Sequence, residues 1–150
     1  MAGTIRTATL DDAEEIARLS AQLGYPDAAD VFSGRLQRLL ARETHAVLVC
    51  EGDEGRLAGF IGLEQRLMIE TGERVEIVAL VVEADARRSG AGRALVAAAE
   101  SWSRERGLDV LFLRSNVIRP EAHAFYPALG FERTKTQHVY AKQVGDTSAL

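Results

Sequence analysis

An apolar strand that empties into a basic, glycine-bearing turn is the strongest constraint on what this 150-residue chain can become. The run Val81-Val82-Glu83-Ala84-Asp85-Ala86-Arg87-Arg88-Ser89-Gly90-Ala91-Gly92-Arg93-Ala94-Leu95 reads as strand, turn and helix start. The first amides of a helix lack intrahelical acceptors and sit at the positive end of its dipole. Gly90 and Gly92 let a ligand come close to that backbone, so the turn suits an anion such as phosphate. Two phosphate patterns are excluded or weak. A nucleotide-hydrolysing P-loop needs a lysine after its last glycine, and Arg93 follows Gly92; a dinucleotide fingerprint needs a third glycine where Leu95 stands.

The turn sits in an ordinary globular composition, 47% hydrophobic and 27% charged, long enough for one domain over residues 1–150, with about 144–150 expected to fray. A net charge of -4 gives no electrostatic case for nucleic acid or an anionic membrane, although Arg87, Arg88 and Arg93 concentrate positive charge at the turn. Cys50, the single cysteine, ends an apolar run and reads as a buried structural thiol. His45, His123 and His138 show no metal-ligand spacing, so no metal is expected. Residues 1–6 lack an apolar signal segment and no run reaches membrane-spanning length, which makes the cytoplasm the expected compartment.

Along the chain, Thr4–Ala8 reads as a strand, and Thr9 with Asp12 three residues on marks a helix start whose buried side holds Ala13, Ile16 and Ala17. The Gly24-Tyr25-Pro26-Asp27 turn ends that helix. Phe32, Leu36, Leu39 and Leu40 give a second helix its apolar stripe. Ala46–Cys50, Leu57–Leu67 and Arg74–Val82 read as antiparallel strands joined by glycine turns. In the last, Val78, Leu80 and Val82 are expected on one face and Ile77, Ala79 and Val81 on the other. After the basic turn, Leu95, Ala98, Ala99 and Trp102 form a helical stripe that places Trp102 in the core, and Gly107 stops the helix. Val110–Leu113 then returns parallel to the preceding strand. Pro120 opens a last helix, and Phe131–Lys142 is expected to be a final strand.

Arg87-x-x-Gly90-x-Gly92 has the form [QR]-x-x-G-x-[GA], and downstream lies Asn116 followed by Ala122-His123-Ala124-Phe125-Tyr126-Pro127-Ala128-Leu129-Gly130-Phe131. On these two segments the chain resembles the GNAT N-acetyltransferases over nearly its whole length. The resemblance implies an α/β fold: a mixed sheet, antiparallel in its N-terminal strands, whose parallel central pair splays apart at the cofactor cleft between flanking helices. It implies acetyl-CoA as co-substrate. Its pyrophosphate would lie on the amides of Ser89, Gly90, Ala91, Gly92 and Arg93 with the guanidinium of Arg87. Arg88 and the Arg93 side chain would either join it or stay solvated. Main-chain groups of Leu80, Val81 and Val82 would meet the pantetheine arm, with Asn116 binding the arm or simply forming a turn.

Acyl transfer from a thioester to an amine needs a neutral amine and a proton for the departing thiolate. Tyr126 matches the family's proton donor, against the alternative of a phenol packed on a buried helix face. Pro127 removes the amide that would bond the His123 carbonyl, so a kink beside Tyr126 is expected. Glu76 matches a frequent family base acting through water, against a plain sheet-edge charge; His123 is a rival by residue type. Glu64, Glu70, Glu73 and Glu76 border the acceptor side in similar proteins, which points to a cationic small-molecule or peptide amine. The reading is therefore an N-acetyltransferase working by direct transfer in a ternary complex, with a possible homodimer. A non-catalytic acyl-CoA sensor or regulatory module is the alternative.

Overall fold

The computed structural model describes residues 3–86, 89–115 and 120–146, with residues 120–123 described in their backbone alone. The chain divides into two compact units, Met1–Arg114 and Ser115–Leu150. In the first, a short strand β1 (Ile5–Thr7) leads through a 3-10 turn (Leu10–Asp12) into helix α1 (Ala13–Gln22), then α2 (Ala29–Leu40), β2 (His45–Glu51), β3 (Leu57–Met68), β4 (Gly72–Val82), α3 (Ala91–Glu105) and β5 (Leu111–Leu113). The strands lie in sequence order β1-β2-β3-β4-β5. The first four are antiparallel and β5 runs parallel to β4, so the mixed α/β sheet expected from the sequence is present.

Two apolar layers hold this unit together. On one face, Ile16 and Leu19 of α1 and Leu36 of α2 pack on Val47, Val49, Phe60 and Val81, with Phe32, Leu39 and Leu40 partly buried against them. On the other face lies α3, whose buried stripe is Leu95, Val96, Ala99 and Ser103. The contact is close at Gly59 of β3. A Cβ there would stand 2.7 Å from the Val81 carbonyl oxygen and 3.1 Å from Leu95 Cδ1, so only glycine lets α3 approach this near. Trp102 falls outside this layer. It is half-buried, with the Arg106 guanidinium 3.9 Å from its ring centre, because the stripe turns toward Ser103, whose hydroxyl donates to the Leu108 carbonyl at 3.0 Å.

In the second unit α4 (Pro120–Ala128) ends as Leu129 and Phe131 amides donate to the Tyr126 carbonyl at 3.0 and 3.1 Å, with Gly130 at φ +91°. Pro127 stands inside α4, one residue before the helix ends. The strand expected over Phe131–Lys142 does not form. Residues 131–142 carry no regular element and pair with no strand among the described residues, and a strand is defined by its neighbour. Residues 147–150 of the expected frayed tail lie outside the described residues.

The entry into α1 rests on a carboxylate. Asp12 is buried; its Oδ2 accepts the Thr9 amide at 2.8 Å, and Arg6 grips both oxygens at 2.8 and 2.9 Å. Hydrogen bonding from Arg6 holds this carboxyl below its ordinary pKa. A carboxyl depressed in the folded state stabilises above its unfolded pKa and loses that contribution as pH falls through the folded value. Asp12→Asn is therefore expected to lower the urea-unfolding free energy at neutral pH by about 1–2 kcal/mol. Its deficit against the parent protein should shrink as the titration is repeated from about pH 6 to about pH 3.

Candidate active site

β4 is shared unequally between its neighbours. It pairs with β3 from Met68–Gly72 to Gly59–Val82, but with β5 only at Val75–Leu111, Glu76–Phe112 and Ile77–Leu113. Beyond Ile77 the β5 side of β4 has no ladder among the described residues, and the sheet forks. At the fork the β3 register slips: Leu63 faces Ile77 while Gly62 faces Ala79, so Val78 is an extra, half-exposed residue. This is a bulge. A Cβ on Gly62 would meet Val78 Cγ2 at 3.3 Å and Ala79 Cβ at 3.6 Å, which puts both side chains on one side.

The bulge corrects the simple alternation expected for this strand. Ile77 lies on the same face as Leu80 and Val82, as Leu63 and Ile61 do across β3, while Glu76 joins Ala79 and Val81 on the face of α1 and α2. Gly62 was the sequence signal for it, since a glycine inside a strand marks a bulge or a close approach. Past the bulge, the Glu83 amide donates to the Ala58 carbonyl at 2.8 Å. The alternation of an antiparallel ladder then turns the Val81 backbone to β3 and those of Leu80 and Val82 toward the fork.

After β4 and the turn that follows it, the chain reaches the start of α3. Gly90 is the N-cap at φ +91°, a left-handed conformation that glycine adopts without strain, and the Ala94 amide closes the first turn on the Gly90 carbonyl at 2.9 Å. Ala91, Gly92 and Arg93 supply the first-turn amides, with the Ala91 amide 3.4 Å from Ser89 Oγ. Arg93 is exposed. No acidic residue lies in that first turn, so the positive helix end is not neutralised locally. Arg87, Arg88 and Asn116 lie outside the described residues.

Glu76 is 7% exposed and is held by arginines from both neighbouring strands. Arg66 Nη1 of β3 donates to Oε1 at 2.8 Å, and Arg114, just past β5, reaches Oε1 through Nη2 at 3.4 Å and Oε2 through Nε at 3.3 Å. Arg66 also stands 3.8 Å from Glu64, whose other oxygen is 4.0 Å from His45 Nε2. Two of the four glutamates read as an acidic acceptor border, Glu64 and Glu76, are thus ion-paired; Glu70 and Glu73 are exposed. Tyr126 belongs to the second unit, where its ring meets Phe125 and Phe131 edge-on at 5.1 and 5.7 Å. His123 lies in α4, its side chain outside the described residues. Cys50 is fully buried, and burial raises its thiol pKa. Among the described residues no cluster of His, Cys, Asp or Glu could hold a metal, and no helix is long and apolar enough to cross a membrane.

Residues 10–131 match the Acetyltransferase (GNAT) family. An aminoglycoside N(6')-acetyltransferase type 1 from Stenotrophomonas maltophilia is 36% identical over 138 residues, covering 89% of each chain. Among solved structures, a transcriptional regulator from Bacillus halodurans C-125 superposes with a TM-score of 0.85 at 21% identity, covering 95% of this chain and 100% of that one. The aminoglycoside N-acetyltransferase AAC(6')-Iy, solved in complex with CoA, does so with 0.83 at 22% identity over 95% and 97%.

The Glu76 contacts rank its partners. Removing Arg66, whose bond is the shorter and whose side chain is the less exposed, should cost about 1–3 kcal/mol in urea unfolding as Arg66→Met. Arg114→Met, taken from a side chain 58% exposed, should cost less than about 1 kcal/mol.

Proposed function

Because the chain belongs to the GNAT acetyltransferase family, we propose that it moves an acetyl group from acetyl-CoA to a primary amine of a small molecule or peptide, directly and within a ternary complex. One observation carries the reading: the β5 ladder of β4 stops before Val78, and the turn that follows this strand leads to a helix start capped by left-handed Gly90. An extended thiol arm fits the first feature and a pyrophosphate the second. The CoA complex of a structural neighbour with the same fold supports this choice of donor.

Bound there, the donor supplies an acetyl group already activated as a thioester. Leu80 and Val82 would hold the arm and the acetyl carbonyl through backbone groups that face away from β3; Val81, expected from the sequence to share this role, turns its own amide and carbonyl to β3. The amides of Ser89, Gly90, Ala91, Gly92 and Arg93 would take the pyrophosphate with Arg87 and Arg88, and Asn116 would hold the arm. Glu76 would draw a proton from the incoming amine through water. A carboxylate has about four acceptor positions, and its Oε2 meets Arg114 at 3.3 Å, a long contact that leaves acceptor capacity for a water. Tyr126 would give its proton to the sulfur as the carbon–sulfur bond breaks, leaving free thiol and an amide. One acetyltransferase domain, acting in the cytoplasm as a monomer or homodimer, completes the proposal.

Thiol release from acetyl-CoA over a panel of aminoglycosides, polyamines, amino acids and peptide N-termini tests it. Release that depends on one amine class is expected, and the named relative puts aminoglycosides first in the panel. CoA binding with no amine-dependent release would instead favour the non-catalytic sensor, a reading in keeping with the transcriptional regulator from Bacillus halodurans that shares this fold. Tyr126→Phe should lower kcat by about 10²-fold, the low end for a general acid because thiolate leaves readily, with CoA affinity unchanged. Full kcat in single-turnover kinetics would remove Tyr126 from the mechanism.

A further inference from the structure

The turn between β4 and α3 buries none of the residues in its first half, Ala84–Ala86, so apolar packing does not order it. Fixing each backbone residue costs conformational entropy, and something polar must offset that. The offset comes from α1. Glu83, immediately after β4, accepts Arg18 Nη1 on Oε2 and Gln22 Nε2 on Oε1 at 3.0 Å. The Gln22 side-chain carbonyl in turn accepts the Ala84 amide at 3.1 Å. Arg18 is itself immobilised: its Nε and Nη2 donate to the two oxygens of Glu15 at 2.8 Å each. Glu15 Oε1 accepts the Leu57 amide at 2.8 Å, and Arg18 Nη2 reaches the Leu57 carbonyl at 3.3 Å.

From Glu83 the order passes along the backbone. The Ala86 amide donates to the Glu83 carbonyl at 2.9 Å, the Ser89 amide to the Ala86 carbonyl at 3.0 Å, and Ser89 borders the left-handed Gly90 that starts α3. A carboxylate beside an anion seat would repel its ligand, and here its charge is consumed by a guanidinium. Side-chain exposures of 24% for Arg18 and 14% for Glu83 mean that the pair is only lightly screened by solvent. Arg18 holds the Glu83 carboxyl below its ordinary pKa, so the clamp stays charged at neutral pH.

We infer that Glu83, clamped by Arg18 and Gln22, is a positioning residue: it presets the helix-start amides and so sets affinity for the donor's pyrophosphate without touching the donor. The inference rests on the reading of the α3 start as a pyrophosphate seat. Preorganised donors bind more tightly because the ordering cost is met before the ligand arrives.

The test compares CoA with pantetheine, which shares the thiol arm and lacks the pyrophosphate, by calorimetry on the full chain. Glu83→Ala should weaken CoA by about 10- to 100-fold, the scale of loss from misplaced binding groups. Pantetheine should change by less than about twofold and kcat at saturating acetyl-CoA should hold, a split between binding and turnover. Gln22→Ala, which removes two exposed hydrogen bonds and little else, should shift CoA the same way by less, and Glu83→Asp should recover part of the loss. Equal weakening of both ligands, or no change in either, would overturn the positioning role. A parent protein that binds CoA no better than pantetheine would overturn the seat itself, a separate failure visible before any variant is made.

Discussion

β4 has to satisfy two neighbours that ask different things of it. Along β3 it remains hydrogen-bonded from the hairpin at Gly72 to Val82, which fixes its position in the sheet. Along β5 it is bonded for three residues and then released. The release would be costly in a sheet whose backbone groups had no other outlet, because buried amides and carbonyls must be paired. The Val78 bulge in the β3 ladder rephases the strand at the residue where the β5 ladder stops, and Val78 is half exposed there. The helices, the apolar layers on both faces and the start of α3 take their places from β3 and β4 together. Gly59 shows how tight that arrangement is, with α3 resting almost on the β3 backbone.

Charge in this unit is handled by arginine. Arg6 holds Asp12, Arg18 holds Glu15 and Glu83, and Arg66 with Arg114 holds Glu76. Of the 18 basic residues only Lys135 and Lys142 are lysines. The planar guanidinium fork can grip two carboxylates or both oxygens of one, which an ammonium cannot do with fixed geometry. An acidic chain can therefore bury carboxylates near its sheet without leaving them repelling one another. The amides at the α3 start remain unneutralised by any acid in their own turn.

Most of the local grammar was legible in the sequence. The Thr9–Asp12 cap, the α2 stripe, the glycine turns and the helix start after the basic turn are each decided by residues within one or two turns of chain, and each is where the pattern put it. Contacts across long sequence distance were not legible. Arg18 meets Glu83 across 65 positions and Arg114 meets Glu76 across 38, and nothing in the residues between encodes either meeting. Alternation failed at Val78 because a bulge belongs to a pair of strands and cannot be seen in one. Trp102 missed the core because the buried stripe of its helix runs through Ser103, an orientation that apolar periodicity alone does not fix. The strand expected over Phe131–Lys142 had suitable residues, yet pairing depends on a partner that local sequence does not supply.

The extra residue at Val78 makes β4 two half-strands of opposite phase joined end to end. Substitutions within either half alter one side chain and leave its neighbours where they are. Deleting Val78 would restore uninterrupted pleating and leave both halves on the faces they now occupy, each residue still opposite its present β3 partner. Glu76 would keep its two guanidiniums and Val81 its helices, because the bulge already holds the two halves in compatible phase. What the extra residue adds is a local bend and a tighter twist at the point where the β5 ladder stops, so its removal would straighten the strand without exchanging a single face.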